Sequence, residues 1–194
     1  SDIGLVSAQG NSPIINLTNS GYMSGSPRFA LDGNAILFKT ERYGMRAHAS
    51  WGSLNDVMLV FMNQDAYDKF RLSKEDYELQ KELEKEQKNT TEAKKNDKKK
   101  GDNKEKSEEK KEEKVKDIVV ELNNIEDRIV RLTPNSSDLG SAIITKDGET
   151  LYYLSAFEGG YDLWKMNLRK KDTKLLHKMD AGWANMEMDK DGKN

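Results

Sequence analysis

Short apolar runs separated by turn-forming residues make up most of the chain. The runs "AILFKT", "DVMLVFM", "TLYYLS" and "DLWKMNL" are rich in aromatic and β-branched residues, a composition typical of short strands. Asp-Gly pairs separate such runs at Asp32-Gly33 and Asp147-Gly148. This dipeptide favours a tight hairpin in which both central residues have positive φ. The pattern therefore predicts an all-β protein built from hairpins.

The strand pattern repeats along the chain. Asp147 and the Asp of a third Asp-Gly pair, Asp191, lie 44 residues apart, within the span of β-propeller blades. Asp32 and Asp147 lie 115 residues apart, so the first unit carries 71 extra residues, nine ahead of the strand that begins at Asp56 and 62 after it. The strand beginning at Asp162 matches the one at Asp56, and we interpret both as the last strand of their unit.

The repeat predicts four-stranded antiparallel β-propeller blades. Two complete blades cannot close a ring, so an incomplete propeller with exposed apolar faces is expected, in a chain that begins and ends within a unit. The predicted division is 1–20 (the end of a preceding blade), 21–62 (blade strands with a loop insertion), 63–117 (a charged insertion), 118–180 (the rest of that blade and the next complete one) and 181–194 (the start of another).

The charged insertion is expected to be part helix and part disordered. In "RLSKEDYELQKELEKEQK", Ser73 is a good N-cap, and Asp76 lies three residues later as in a capping box. Beyond Gln87 the apolar content vanishes, so that part is predicted to be a solvated linker or loop with transient helix. The insertion is interpreted either as a tolerated excursion at the propeller rim or as a docking arm for a partner.

Composition excludes several function classes. The net charge is −2 and the Lys run is matched by Glu, so nucleic acid is not an expected partner. The absence of cysteine excludes thiol catalysis, Cys-based zinc sites and disulfides. No apolar run approaches the roughly 18 residues of a membrane helix, so membrane insertion is not expected. No metal site or cofactor is predicted.

The polar stretch "GMRAHASWGSLND" is the main candidate site. A serine nucleophile at Ser50 would need a strand before it and a helix after it, whereas a strand follows here. A triad of Ser50, His48 and Asp56 requires a spatial geometry that nearness in sequence does not supply. Two alternatives stand beside catalysis, packing at the blade edge and ligand contact at the mouth of the channel. The ligand-contact interpretation assigns binding roles to Arg46, His48 and Trp51.

The motif P-x-F-x-x-D-G-x-x-I-x-F, at Pro27 to Phe38, resembles the propeller repeat of TolB and tricorn-type proteases. Residues 44–76, followed by a Lys/Glu-rich insertion, and residues 127–168 are similar to the propeller region of tricorn-protease-like serine peptidases of the Bacteroides type. The resemblance covers essentially the whole chain.

The resemblance implies a non-catalytic propeller segment that gates or channels peptides. In that family the catalytic Ser and His belong to separate domains downstream of the propellers, with a PDZ-like module between them. The expected partners are a peptide or protein substrate and the rest of the parent peptidase, and association between copies is left open. The family implies a periplasmic or otherwise exported protein, with the cytoplasm as the alternative. The alternative function is a TolB-like module for protein–protein interaction.

Overall fold

The computed structural model of the protein describes residues 1–46, 48, 52–97 and 117–189, and for residues 87–97 it describes the backbone alone. The chain divides into two compact units, residues 1–70 with 118–194 and residues 71–117. All the strands that the structure describes lie in the first unit. The third Asp-Gly pair lies outside the described residues.

The first unit contains three antiparallel sheets. Two short strands, β1 (Gly4–Leu5) and β2 (Ile15–Asn16), form an N-terminal ribbon. The first four-stranded sheet has the strand order β3-β4-β5-β6, with the bounds Ser24–Ala30, Ala35–Thr40, Asp56–Phe61 and Ile129–Arg131. The second has the order β7-β8-β9-β10, with the bounds Asp138–Ile144, Thr150–Ala156, Tyr161–Asn167 and Asp172–Ala181.

Each four-stranded sheet is a meander, because every strand pairs antiparallel with its neighbour in sequence. The predicted β-rich fold with antiparallel sheets is therefore confirmed. Within the described residues no sheet closes on itself. The interpretation of the strands at Asp56 and Asp162 as the last of their units is wrong. Each is the third strand of its meander, and β6 and β10 follow them. In the first meander the charged insertion separates the third strand from the fourth.

The main core lies between the two four-stranded sheets. Alternate residues of a strand point to opposite faces, so Leu37 and Leu59 face the second sheet, where Leu151 and Tyr153 meet them. The opposite face of the first sheet packs under the N-terminal ribbon in a second cluster. Because it is covered on both faces, β5 is buried along its whole length, which explains its uninterrupted apolar sequence.

The second sheet is less completely covered than the first. Its outer strand, β10, is exposed along most of its length, and Leu175 and Leu176 are 44% and 51% exposed. Large apolar side chains at an exposed edge are the feature expected of a sheet that lacks a neighbour on that side.

The Asp-Gly turns differ from the predicted two-residue hairpin. Asp32 and Gly33 both have positive φ (53° and 86°), but the connection between β3 and β4 spans four residues and contains a 3-10 turn. In the β7–β8 connection only Gly148 has positive φ (73°). There the Gly148 N–H donates to the Thr145 carbonyl at 2.9 Å and closes the turn, and the Asp147 carboxylate adds a bond from the Glu149 N–H at 3.0 Å.

Two helices follow β5. In α1 (Gln64–Arg71), Phe70 packs on Phe61 of the main core with ring centroids 5.0 Å apart. α2 (Lys74–Asp97) begins as the sequence predicts, since the Ser73 hydroxyl accepts from the Asp76 N–H at 3.1 Å. The helix continues beyond Gln87 to Asp97, into the segment for which a solvated linker or loop with transient helix is expected. No helix among the described residues is long and apolar enough to span a bilayer.

Candidate functional site

The loop between β4 and β5 contains the residues that the sequence singles out. Its arms pair, since the Leu54 N–H donates to the Met45 carbonyl at 3.0 Å and Arg46 forms an antiparallel bridge with Ser53. At Gly44 a Cβ atom would lie 1.8 Å from the carbonyl oxygen of Leu54. Glycine is therefore required at position 44, which Gly159 matches in the other unit, because no side chain fits there.

Glu41, which the sequence analysis did not select, organises this loop. Its carboxylate accepts from the Ser53 hydroxyl at 2.6 Å, from the Arg46 guanidinium at 3.0 Å and from the Met23 N–H at 3.2 Å. The hydrogen bonds from Ser53 and Met23, followed by the charge of Arg46, lower the pKa of Glu41. Glu41 directly follows β4 in the polar run "KTER", so its sequence carries no signal of this role.

Of the three predicted binding residues, the structure describes two. Arg46 is 59% exposed, and its guanidinium lies over the Tyr22 ring, 5.4 Å from the centroid. His48 is exposed. Trp51 lies outside the described residues. Arg46 is thus both a structural partner of Glu41 and an exposed cation, so the packing and ligand-contact interpretations apply to the same side chain.

Exposed aromatic and methionine side chains surround Arg46. We use the name loop patch for this surface, which comprises Tyr22, Met23, Tyr43, Met45 and Arg46. Met45 is 75% exposed and Met23 62% exposed. Aromatic, Met and Arg side chains are those enriched where proteins bind one another. The loop patch can therefore make contacts of the kind found in protein interfaces.

Asp56, the third member of the hypothetical triad, is held by hydrogen bonds and an ion pair within the fold. Its carboxylate is fully buried and accepts from the Thr133 hydroxyl at 2.8 Å and the Ser136 hydroxyl at 2.7 Å, while Arg131 forms an ion pair with it at 2.9 Å. Ser50 lies outside the described residues. A carboxylate that orients a catalytic His must bond to that His, and the donors around Asp56 favour the packing interpretation.

The Asp56 contacts recur in the other repeat units. The Thr133 hydroxyl also accepts from the Val57 N–H at 3.2 Å, so it bridges the carboxylate and the next amide. In the N-terminal ribbon, the Thr18 hydroxyl donates to Asp2 at 2.8 Å and accepts from the Ile3 N–H at 3.1 Å. We call this arrangement the carboxylate clasp. In the first sheet it joins the start of β5 to the residues after β6.

The clasp of the second sheet uses different donors. Asp162 accepts from the backbone N–H groups of Met179 at 2.7 Å and Asp180 at 2.9 Å. His177 occupies the position that Thr has in the other two units. Hydrogen bonds lower the pKa of two of these carboxylates. Backbone bonds do so at Asp162, and at Asp2 a bond from the Ser20 N–H and bonds from Thr18 and Asn16 lower the pKa to about 2.

A cleft of about 310 Å³ opens between the edge strands β3 and β7. It is lined on one side by Arg28 and Lys39 and on the other by Tyr161, Trp183 and Asn185. A second cleft of about 210 Å³ continues along the same strands and also has Arg28 on its wall. No sequence pattern marks this site, because its walls come from segments that lie far apart in the chain, within residues 26–57 and 140–185.

The cleft is positively charged. The Lys39 ammonium donates to the carbonyls of Leu139 at 3.3 Å and Gly140 at 3.0 Å. Burial and the nearby charge of Arg28 lower the pKa of Lys39, and Asp138 opposes this shift. The Asp138 carboxylate in turn accepts from the Tyr161 hydroxyl at 2.9 Å. Neither cleft has a carboxylate among its lining residues.

The described residues contain no cluster of three or more His, Cys, Asp or Glu side chains that could hold a metal ion. The loop patch and the cleft offer hydrogen bonding, charge pairing and apolar contact.

Comparison with known proteins gives a likeness of fold. No protein-family model matches the chain, and the curated proteins contain no match. Among solved structures, the crystal structure of the tricorn protease is similar, with a TM-score of 0.56 and 9% sequence identity. The likeness covers 99% of this chain and 16% of that protein. At this identity the likeness is one of fold alone, and it extends across all the sheets described above.

Proposed function

We propose that this chain is a non-catalytic β-propeller segment of a tricorn-like serine peptidase, which gates or channels peptides toward a catalytic domain outside it. In this proposal the two meanders are consecutive blades, and the N-terminal ribbon is the end of the blade before them. The observation that carries it is that the two four-stranded sheets pack face to face, with their edge strands β3 and β7 lining one cleft. Each successive unit also contains a carboxylate clasp. The likeness in fold to the tricorn protease supports it.

The catalytic part of the proposal is tested on the chain itself. The purified chain is expected to bind fluorescent peptides without cleaving them, because Asp56 is held by Arg131, Thr133 and Ser136. A Ser50→Ala variant should behave as the unmodified chain does. Peptide cleavage that disappears in this variant would identify the chain as a hydrolase and contradict the proposal.

The gating part is tested on the parent protein by obstructing the cleft. The chain has no cysteine, so Ser26→Cys provides a labelling position in the cleft for a bulky maleimide. Labelling is expected to slow hydrolysis of long peptides more than that of dipeptide substrates. The control is Gln9→Cys, an exposed position in the N-terminal ribbon connection. Equal slowing with both labels, or none with either, would remove the support for gating.

The loop patch favours a second candidate, a TolB-like propeller module for protein–protein interaction. Its exposed Tyr, Met and Arg side chains suit a protein partner. The parent reading frame separates the two candidates. PDZ-like and serine-protease domains beyond Asn194 are expected for the peptidase, whereas a frame that ends with the propeller would favour the binding module.

A further inference from the structure

The edge strands β3 and β7 each have a register shift at the same position in the repeat. The register of β3 with β4 shifts between Gly25 and Arg28, and that of β7 with β8 shifts between Leu139 and Ala142. Ser26 has positive φ (54°) within the first of these shifts. Bulges of this kind re-aim side chains and interrupt pairing, and they are common beside binding sites. The larger cleft lies where the two bulged segments face each other.

Arg28 stands between the two clefts and lines both of them. Its side chain has no hydrogen bond or ion pair to any residue in the described part of the chain, and the residue is exposed. Lys39, on the neighbouring strand, has two of its three donors on backbone carbonyls. One guanidinium and one ammonium donor are therefore available in the groove. Its lining residues include no acid; Asp138, whose charge acts on Lys39, lies outside the lining and accepts from the Tyr161 hydroxyl.

We infer that this groove binds an extended peptide through the side-chain carboxylate of an internal Asp or Glu, held by Arg28 with Lys39 beside it. An arginine fork matches a carboxylate in geometry and charge. The position of Arg28 argues for an internal residue, because the groove continues on both sides of the guanidinium. Trp183, 81% exposed, and Phe29, 62% exposed, supply apolar surface on either side for the flanking residues.

The inference rests on the proposed peptide-channelling function and adds the preferred class of peptide. Its probes are nine-residue fluorescent peptides with both ends capped, identical except for Glu or Gln at the centre. Binding is measured by fluorescence anisotropy on the whole chain. Because only the Glu peptide can form a charge-assisted hydrogen bond with Arg28, it is expected to bind roughly 10-fold more tightly than the Gln peptide. High salt should reduce this preference.

The variant Arg28→Gln is expected to abolish the preference while leaving the Gln peptide's affinity unchanged. The control is Arg42→Gln, which makes the same change in net charge at an exposed arginine that lines neither cleft; it should retain the preference. Because Arg28 is exposed, the fold should survive its substitution, and circular dichroism checks this.

Three outcomes would overturn the inference. If both capped peptides bind equally, peptides are bound without carboxylate recognition, and the proposed function stands alone. If a Gln-centred peptide with a free C-terminus binds as the Glu peptide does, the groove recognises a chain end. If no peptide binds at all, the proposed function fails together with the inference.

Discussion

Replacing Thr133 by Val tests whether the carboxylate clasp stabilises the first sheet. The substitution keeps the shape of the side chain and removes a buried hydroxyl that donates to Asp56 at 2.8 Å and accepts from the Val57 N–H at 3.2 Å. The carboxylate loses one donor but keeps those of Arg131 and Ser136, whereas the Val57 amide, at a fully buried residue, loses its acceptor.

The magnitude follows from these two losses. An orphaned buried donor costs about 1–3 kcal/mol, and a hydrogen bond to a charged group contributes about 1.5–3 kcal/mol. Because Arg131 and Ser136 can tighten around Asp56, we expect a net loss of about 2 kcal/mol in the free energy of unfolding. For a chain of this size, that loss lowers Tm by roughly 4–8 °C.

The assay is urea unfolding followed by circular dichroism, with hydrogen exchange at the Val57 amide as a local readout. The midpoint should fall with an unchanged m-value, and the Val57 amide should exchange faster. Thr133→Ser is the control, since it keeps the hydroxyl and loses only a methyl group, at a cost of about 0.8 kcal/mol. Equal losses in the two variants, with Val57 still protected, would refute the role assigned to the hydroxyl.

Three further changes have expected outcomes. Gly44→Ala places a Cβ against backbone and should destabilise the chain by about 1–3 kcal/mol in thermal melts, while Gly25→Ala, where the space is open, should be near neutral; equal effects would contradict the steric argument. Ser73→Ala removes the cap of α2 and should reduce helicity by circular dichroism, at a cost of about 1 kcal/mol, and Ser73→Asp should restore it. The pKa values of Asp2 and Asp162 are lowered in the folded chain, so their contribution to stability is present above about pH 4 and should be lost as the pH falls further. Asn at both positions should flatten that part of a stability profile measured by urea unfolding, and an unchanged slope would contradict it.

The sequence was a good guide to features that depend on local pattern. The strands around Phe38 and Tyr153, the N-cap at Ser73 and the matching of Asp2 with Asp56 and Asp162 can all be read from spacing and residue type. The end of α2 could not be placed from the sequence, because the residues beyond Gln87 have no apolar stripe, and helix propensity without such a stripe is a weak signal.

The candidate site was less predictable. Arg46 was selected for its charge, but its partner Glu41 was not, because a carboxylate in a charged run has no distinguishing neighbour in sequence. The loop itself could be delimited, since Gly44 and Asp56 match positions of the other unit. The packing of the loop could not be predicted from the sequence, since Ser53 and Met23 bond to Glu41 from opposite directions along the chain.

The sequence by itself therefore determined the repeat, its strands and the place of the insertion, because these follow from periodicity and turn chemistry over a few residues. Only the tertiary structure decided what the repeated residues do. Asp56 meets Arg131 across 75 positions, and Lys39 meets Leu139 across 100. Such contacts form when sheets stack, and stacking is set by the burial of whole faces. The clasp and the cleft are thus properties of the assembled sheets, carried by residues that look unremarkable one at a time.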